Sequence, residues 1–373
     1  MKIIVEEVLG EKGKHVAVSS ESPFYPDGKG GQLGDRGKIG DRNVLRVYEK
    51  KGKVFHVLDG ALDPGEYEVW IDEERRKEIA RQHTAQHILS AALVKVADIE
   101  TVSFHMGEDF STIDLNAAPI LQEVLDEAED LANTVILENR RVVEHLVDRE
   151  EASKFPLRKP ISEKVKGKVR IIEVEGFDWS ACGGFHAERT GEIGIVKIID
   201  HEKIKGSLTR VYFVAGMRAL KDYRKRVKLI WNLSKLLTTS VDEMEARVGN
   251  LLEDVKEKAA RLDKLAEEYA KTIAESLLES AQECCGVKIV VYDGYEEVGK
   301  YVFKFLGDEQ NVLIVVKVDK GYEIGSRAVD VGNLIRVLNE RLRSKGGGGK
   351  NRGRIATDAP VSRIVQEVQN ILS

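Results

Sequence analysis

A stretch in the middle of a long predicted helix, His83-Thr84-Ala85-Gln86-His87-Ile88-Leu89, gives the strongest indication of the fold. The helix runs from Asp72 to Ala97 with few helix-breaking residues. Because His83 and His87 are four positions apart, their imidazoles project from one face of the helix about one turn apart. No Glu follows His83, so the metalloprotease pattern His-Glu-x-x-His is absent.

A second pair of metal-ligand residue types with the same spacing lies in Cys182-Gly183-Gly184-Phe185-His186-Ala187. The two glycines suit a tight turn that directs the thiolate and the imidazole inward. Together with the helix pair, Cys182 and His186 provide four donors of the types that zinc prefers, so we predict one Zn²⁺ per chain. The spacing leaves two interpretations open: a closed structural zinc that ties helix to loop, and a site where one position exchanges for water or substrate.

Residues 1–70 alternate apolar and polar side chains between frequent turn signals, which predicts a small N-terminal β-barrel. Its strands are predicted at Ile3–Val5, His15–Val18, Val44–Tyr48 and Val54–Leu58. Within this region lies a glycine-rich loop that allows close approach of backbone to a ligand, Gly28-Lys29-Gly30-Gly31-Gln32-Leu33-Gly34-Asp35-Arg36-Gly37.

Residues 71–215 mix helices with strands, which predicts an α/β domain with an antiparallel sheet on which the barrel packs. After the first helix we expect, in order, a hairpin over 101–115 that turns at Gly107–Asp109, a second helix over 119–149, and strands at 169–175 and 193–199.

The rest of the chain predicts a helical region followed by a second α/β domain. Residues 216–285 contain no proline and almost no glycine, and Ser240 with Glu243 forms a capping-box pattern at which a helix begins. Residues 286–373 predict a small α/β C-terminal domain with a glycine loop, so the fold class is α+β. Apolar residues of the helical region recur at the 3-4 spacing of a coiled-coil seam or helical hairpin, at Met244, Val248, Leu251, Val255, Ala259, Leu262, Ala266, Tyr269, Ile273 and Leu277.

The composition excludes several classes of protein. The 373 residues carry a formal net charge of −5, with 42% hydrophobic and 32% charged residues, so neither global disorder nor a uniformly basic nucleic-acid coat fits. The apolar runs are too short to span a membrane, and the N-terminus lacks a signal-peptide pattern. Three cysteines, two of them adjacent (Cys284 and Cys285), fit a reducing compartment, so we expect a cytoplasmic protein.

Four motifs occur in the same order as in the alanyl-tRNA editing proteins (AlaX), and the editing domain of alanyl-tRNA synthetase shares most of them. They are the glycine loop, the helix segment His83–Leu89, the hairpin segment Thr101–Gly107, and Cys182–Ala187 followed by Thr190–Gly194. The helical region and the glycine-containing C-terminal domain resemble the C-terminal part of that synthetase. The chain therefore resembles the long form of AlaX over nearly its whole length.

The resemblance implies ATP-independent hydrolysis, in trans, of tRNA(Ala) wrongly charged with serine or glycine. It also implies that His83, His87, Cys182 and His186 occupy the family's zinc positions. The sequence departs from the family pattern at Lys29 in the glycine run, at Leu33 where proline is common, and at Phe185 in place of the usual Thr. Because Phe185 adjoins two of the ligand positions, the exact amino-acid substrate stays open.

Ester hydrolysis of this kind needs an oriented water and donors for a developing oxyanion. We predict that Gly30 and Gly31 offer backbone N–H groups near the carbonyl. Gln32 would orient the water or bind the serine hydroxyl, the alternative being an amide that only stabilises a turn. His105 would donate to the ester, the alternative being a structural histidine of a strand. Zinc either activates water or positions the terminal adenosine.

Between Ile335 and Arg354 seven Lys and Arg residues accompany a single acid, Glu340, in an otherwise acidic chain. We predict a tRNA-binding surface in which these cations contact phosphates and the glycines allow close approach, the alternative being a solvated loop. The helical region or the C-terminal domain would also form a homodimer. The predicted tRNA-binding residues are Arg341, Arg343, Lys345, Gly347, Gly348, Lys350, Arg352 and Arg354.

Three other functions compete with a deacylase. One is a non-catalytic tRNA-binding or synthetase-associated protein that carries a structural zinc. A phosphoesterase is suggested by the tail, but no Asp-His-His triplet occurs; Asp200-His201-Glu202 is the nearest sequence. A complete synthetase is disfavoured because the sequence begins directly with the predicted barrel.

Overall fold

The computed structural model describes residues 1–11, 14–161 and 167–373. Internal contacts divide the chain into two units, Met1–Trp231 and Asn232–Ser373. Both units contain helices and sheets, which agrees with the α+β class expected from the sequence. No helix in the described ranges is both long enough and apolar enough to cross a membrane.

The first unit begins with a seven-stranded sheet in the order β1-β7-β4-β5-β6-β3-β2, paired antiparallel throughout. Only Glu6 separates β1, which pairs with β7, from β2, which pairs with β3, so these two consecutive strands form the two edges of the sheet in the described residues. The predicted barrel is therefore a curled, open sheet. Its strands are β1 (Lys2–Val5), β2 (Glu7–Glu11), β3 (Lys14–Ser19), β4 (Gly37–Ile39), β5 (Arg42–Lys50), β6 (Lys53–Leu58) and β7 (Gly65–Ile71).

The same unit continues with helix α1 (Glu73–Ala97), which packs against α2 (Gln122–Leu137). A four-stranded antiparallel sheet in the order β13-β14-β9-β8 lies with these helices around one core. The predicted hairpin over 101–115 is confirmed by β8 and β9. The strands are β8 (Thr101–Met106), β9 (Ser111–Leu115), β13 (Val196–Lys203) and β14 (Thr209–Ala215).

The predicted second helix over 119–149 is wrong in its last third. Helix α2 ends at Leu137, and Asn139 adopts a left-handed conformation with φ of 52°. The next residues form β10 (Val142–Asp148), because their backbone pairs antiparallel with a neighbouring strand along its whole length. That three-stranded sheet also contains β11 (Lys168–Val174) and β12 (Asp178–Ala181), and α3 (Arg149–Ala152) follows β10.

Helix α1 is buried on nearly all sides between Ile79 and Leu93, unlike an ordinary amphipathic surface helix. Asp72 caps its N-terminus, because its carboxylate accepts the backbone N–H of Arg75 at 3.0 Å. The helix therefore carries His83 and His87 into the interior of the unit, where they are 2% and 4% exposed.

Helix α4 (Gly216–Leu237) spans the boundary between the units, and α5 (Met244–Glu279) belongs to the second. The predicted capping contact forms just ahead of α5, since Glu243 donates its N–H to Ser240 Oγ at 3.3 Å. The last turns of α5 bury alanines against α6 (Glu296–Leu306). Four predicted seam residues spaced seven apart lie exposed in the described chain, Val248, Val255, Leu262 and Tyr269.

The second unit also contains a six-stranded sheet in the order β15-β16-β17-β18-β20-β19, with helices α7 (Val331–Leu342) and α8 (Val361–Leu372). The predicted glycine loop is mostly an edge strand, because β19 pairs antiparallel with β20 and only glycine permits the close backbone approach at Gly346 and Gly348. The strands are β15 (Gln282–Cys284), β16 (Val287–Tyr292), β17 (Val312–Val318), β18 (Gly321–Ser326), β19 (Lys345–Gly348) and β20 (Arg352–Ala356).

Candidate metal centre and adjoining cleft

The four predicted metal ligands meet in the first unit. His83 and His87 come from α1, and Cys182 and His186 from the loop that follows β12. One donor atom from each lies within 4.8 Å of the others. The sulfur of Cys182 is 3.5 Å from His83 Nε2 and 3.3 Å from His186 Nε2. Three imidazoles and a thiol in this arrangement match the donors of a tetrahedral zinc site.

Two of the imidazoles have their tautomers fixed by outer partners. His83 Nδ1 lies 2.8 Å from Gln32 Oε1, and His186 Nδ1 lies 3.1 Å from Thr84 Oγ1. The Thr84 hydroxyl donates its own proton to the carbonyl of Ala80, so it accepts from His186. Both rings therefore carry the proton on Nδ1 and turn the lone pair of Nε2 towards the cluster, the arrangement that metal-binding histidines need.

The third imidazole faces a buried ion pair. His87 Nδ1 is 3.5 Å from Asp178 Oδ2, and Arg158 Nε contacts the other carboxylate oxygen at 2.8 Å. Ser180 also donates its hydroxyl to Asp178, which is 3% exposed. Burial alone would raise the pKa of Asp178, but contact with His87 and the charge of Arg158 outweigh it and lower the pKa to about 2. Asp178 is thus a carboxylate that can accept from His87.

The thiol of Cys182 sits where its anionic form is stabilised. Burial alone would raise its pKa, but the contacts with the imidazoles of His186, His83 and His87 outweigh it and hold the pKa far below the usual range. Gly184 adds its backbone N–H at 3.4 Å from the sulfur. The thiolate is the form that binds a metal, so the donor set fits zinc.

Gln32 is 1% exposed and serves as more than a turn amide. Its Oε1 accepts from His83 Nδ1 and from the backbone N–H of Phe185 at 2.9 Å, which fixes the orientation of the amide. Its Nε2 is buried and has no hydrogen-bond partner within the described part of the chain. An unsatisfied buried donor next to a metal-ligand cluster is costly, and a bound ligand would relieve that cost.

Two glycines bring these groups together. A Cβ on Gly184 would overlap His83 Cε1 and Gln32 Oε1, so the Cys-Gly-Gly turn packs directly on both. A Cβ on Gly31 would lie 2.8 Å from the carbonyl oxygen of Phe104, which brings the glycine-rich loop close to β8. The N–H of Gly31 donates to the carbonyl of Gly28 at 3.2 Å, so it is already used within the loop. Gly31 would have to give up this hydrogen bond to act as the predicted oxyanion donor.

His105 is not brought to the cluster. Its side chain is exposed, whereas the ring of the preceding Phe104 stacks on His83 with 5.3 Å between centroids. Successive side chains of a strand point to opposite faces, so His105 faces away from His83. The ring of Phe185 packs against Tyr25 and Arg76. Its centroid lies 4.9 Å from that of the Tyr25 ring and 4.7 Å from the guanidinium carbon of Arg76.

A cleft of about 320 Å³ adjoins the cluster. His87 and Phe104 line it together with the cations Arg158 and Lys159. It is the size of a small ligand site and carries hydroxyl and amide groups, supplied by Gln86, Thr101, Ser103 and Ser180.

Sequence reasoning missed Thr84, Asp178 and Arg158. Thr84 lies between His83 and His87, and Asp178 precedes Cys182 by four positions. The i,i+4 spacing of histidine and cysteine identified only the predicted ligands near these two residues. Arg158 had no signal, because only the packing of its loop on β12 brings it to Asp178.

The predicted tRNA-binding cations of the second unit differ in their partners. Arg352 and Arg354 both face Glu323, at 2.8 and 3.7 Å, and Arg341 faces Glu367 at 3.2 Å. Within the ranges that the structure covers, no ion pair is formed by Arg343, Lys345 or Lys350. Gly347 and Gly348 lie exposed on the edge strand β19.

Residues 169–212, which include Cys182 and His186, match the family model described as the threonyl and alanyl tRNA synthetase second additional domain. The alanyl-tRNA editing protein AlaX-L of Pyrococcus horikoshii is 28% identical over 94% of this chain and 90% of that protein. The alanine–tRNA ligases of Ignicoccus hospitalis and Thermotoga maritima are 32% and 33% identical, over 96% and 93% of this chain. The chain spans about two fifths of the length of these ligases, 40% and 42%. The resemblance to the long AlaX form is confirmed.

Proposed function

We propose that this homologue of an alanyl-tRNA editing protein hydrolyses the ester that joins a wrong amino acid, serine or glycine, to tRNA(Ala). The relative AlaX-L aligns over nearly its full length, which supports a role in alanyl-tRNA editing. The single observation that carries the proposal is the pre-organised centre, in which an unpartnered Gln32 amide N–H lies beside four clustered donors.

We further propose that His83, His87, Cys182 and His186 hold one zinc ion. The cluster fits this ion because its donors are buried, the thiol favours the thiolate, and Gln32 and Thr84 fix two tautomers. When bound, zinc polarises a carbonyl oxygen or lowers the pKa of bound water to about 7. Because the chain itself supplies four donors, we favour positioning of the substrate over activation of water.

Gln32 is assigned the selection of the amino acid. Its free Nε2–H would donate to the hydroxyl of a seryl ester or to the attacking water. A site that hydrogen-bonds a substrate hydroxyl rejects an analogue lacking it by about 10⁴–10⁵, so this donor would favour serine over alanine. Release of glycine needs steric exclusion of the alanine methyl group instead, and this donor does not provide that.

The test incubates the protein with Ser-, Gly- and Ala-tRNA(Ala) and follows the free amino acid. We expect release from Ser-tRNA(Ala) and little from Ala-tRNA(Ala). Gln32→Met, assayed with zinc in excess because it also removes the acceptor of His83 Nδ1, should lose seryl release, and Gln32→Glu serves as a second variant of nearly unchanged shape. If none of the three substrates is hydrolysed by the zinc-loaded protein, the proposed activity is wrong.

A second candidate function is a tRNA-binding protein in which the zinc is only structural. Four protein donors form a closed coordination set, and this observation favours it. The two candidates differ in one result: a structural zinc stabilises the first unit but gives no turnover of Ser-tRNA(Ala). Cys182→Ala should lose zinc under either candidate.

We propose that the basic surface of the second unit contacts tRNA phosphates, chiefly through Arg343, Lys345 and Lys350. Among the described residues these three cations form no ion pair that a phosphate would have to replace. Arg352 and Arg354, in contrast, would have to weaken or break their ion pairs with Glu323 to contact a phosphate. Lys345→Ala with Lys350→Ala should weaken tRNA binding and reduce its salt dependence by about two in slope. Arg352→Ala with Arg354→Ala, the matched control, should have a smaller effect. Equal effects from the two pairs would contradict this ranking.

We also propose that the exposed heptad positions of α5 pair with those of a second copy. Their spacing of seven and their exposure support a two-chain coiled coil. Val255→Lys with Leu262→Lys should convert a dimer to a monomer in sedimentation experiments. A monomeric wild-type protein would overturn this assignment.

A further inference from the structure

The cleft beside His87 contains two adjacent cations, Arg158 and Lys159, of which the metal centre uses only one. The guanidinium of Arg158 already has partners, since its Nε contacts Asp178 and its Nη2 contacts Ser180 Oγ at 3.0 Å. Its charge therefore balances that of a buried carboxylate. The neighbouring lysine remains to be explained.

Lys159 is half-buried and makes no ion pair with any carboxylate of the described residues. The acid that acts on it is exposed Glu100, at longer range. Burial and the positive charge of Arg158 both lower the pKa of Lys159. A cation held partly out of water without a counter-ion is unfavourable, and an anion bound in the cleft would offset this.

We propose that Lys159 binds the phosphodiester immediately 5′ of the nucleotide that carries the amino-acid ester. This assignment rests on the proposed function and identifies a binding residue of the same site. The ester would lie towards His87, and the phosphate, one ribose away, would face the ammonium of Lys159. Arg158 keeps the Asp178 carboxylate neutralised, so the cleft presents one net positive charge to the phosphate. The ammonium of a lysine acts as a point charge, so its contact with a backbone phosphate does not depend on the identity of the base.

The test compares two small substrates that differ only in this phosphate: the 2′(3′)-O-seryl esters of adenosine and of adenosine 5′-methylphosphate. We expect the zinc-loaded wild-type protein to prefer the phosphate-bearing ester by about tenfold to hundredfold in kcat/KM. Lys159→Gln should reduce this ratio to about one, and Lys159→Arg should keep most of it. Lys38→Gln, which removes an exposed lysine of β4, is the matched control and should leave the ratio unchanged.

A second arm measures binding without catalysis, using a deacylated RNA hairpin that ends in single-stranded CCA. Lys159→Gln should bind it at least about tenfold more weakly than Lys38→Gln, with a salt slope lower by about one. If the wild-type protein hydrolyses misacylated tRNA but Lys159→Gln keeps the phosphate preference, the assignment of Lys159 is wrong and the proposed function stands. If no ester is hydrolysed, the proposed function fails, and unchanged RNA binding by Lys159→Gln then refutes the assignment separately.

Discussion

The two adjacent glycines after Cys182 allow a sharp test of the metal centre. A methyl group on Gly184 would overlap His83 Cε1 and Gln32 Oε1, whereas one on Gly183 meets nothing within 4 Å. Neither residue has a positive φ, so alanine fits the backbone at both positions. The variants Gly184→Ala and Gly183→Ala therefore each add one methyl group, at adjacent positions. They differ only in whether that methyl group overlaps His83 and Gln32.

The magnitude follows from the size of the overlap. Ordinary carbon–carbon contacts lie at about 3.5–4.0 Å, so the His83 ring and Gln32 must retreat by more than about 1 Å. Metal–ligand distances tolerate only about 0.2 Å, and loss of an outer partner alone costs 10–100-fold in metal affinity. Overpacking should also destabilise the zinc-free protein by about 1–3 kcal/mol.

The assay is zinc affinity, measured by competition with a chromogenic chelator, together with thermal unfolding with and without zinc. We expect Gly184→Ala to bind zinc at least about tenfold more weakly than the wild-type protein, and Gly183→Ala to match the wild type within about twofold. Equal affinities for the two variants would refute the reasoning, because the Gly184 contact with His83 would then have no role in holding the site.

Three further outcomes follow from the first unit. Thr84→Val removes the acceptor that fixes His186 and should weaken zinc binding about 10–100-fold, while Thr84→Ser should keep it. Arg158→Met leaves the Asp178 carboxylate buried and unpaired, so the free energy of unfolding should fall by about 3 kcal/mol, and adding Asp178→Asn should restore part of it. The measurement is urea unfolding followed by the fluorescence of Trp179, with the other two tryptophans replaced by Trp70→Phe and Trp231→Phe. Burial lowers the pKa of His56 to about 4, below its unfolded value of about 6.5, so the unfolded chain takes up the proton first and stability falls as pH drops from about 6.5 to 4. This contributes at most about 3 kcal/mol, and His56→Gln should lose that share of the pH dependence, read from unfolding curves between pH 4 and 7.

Patterns of local spacing predicted the helix that carries His83 and His87, the hairpin over 101–115 and the mixture of helices and strands in residues 286–373. These patterns failed where pairing with a strand distant in sequence sets the conformation. Residues 142–148 are compatible with a helix by sequence, but pairing with β11 makes them a strand. The glycine run from Gly346 to Gly349 suggested a loop, yet its lack of side chains is what permits the close strand pairing with β20.

The candidate site divides in the same way. Because two i,i+4 pairs of histidine and cysteine restrict the donors to a few atoms, the sequence by itself determined which residues could form a metal centre. Only the tertiary structure decided how they are oriented, since Gln32, Thr84 and Asp178 each contact a histidine that is distant in sequence. It also turned His105 away and brought Phe104 to His83, because one residue along a strand reverses the face. The orientation of the donors depends on hydrogen bonds between distant segments, and no local pattern encodes those.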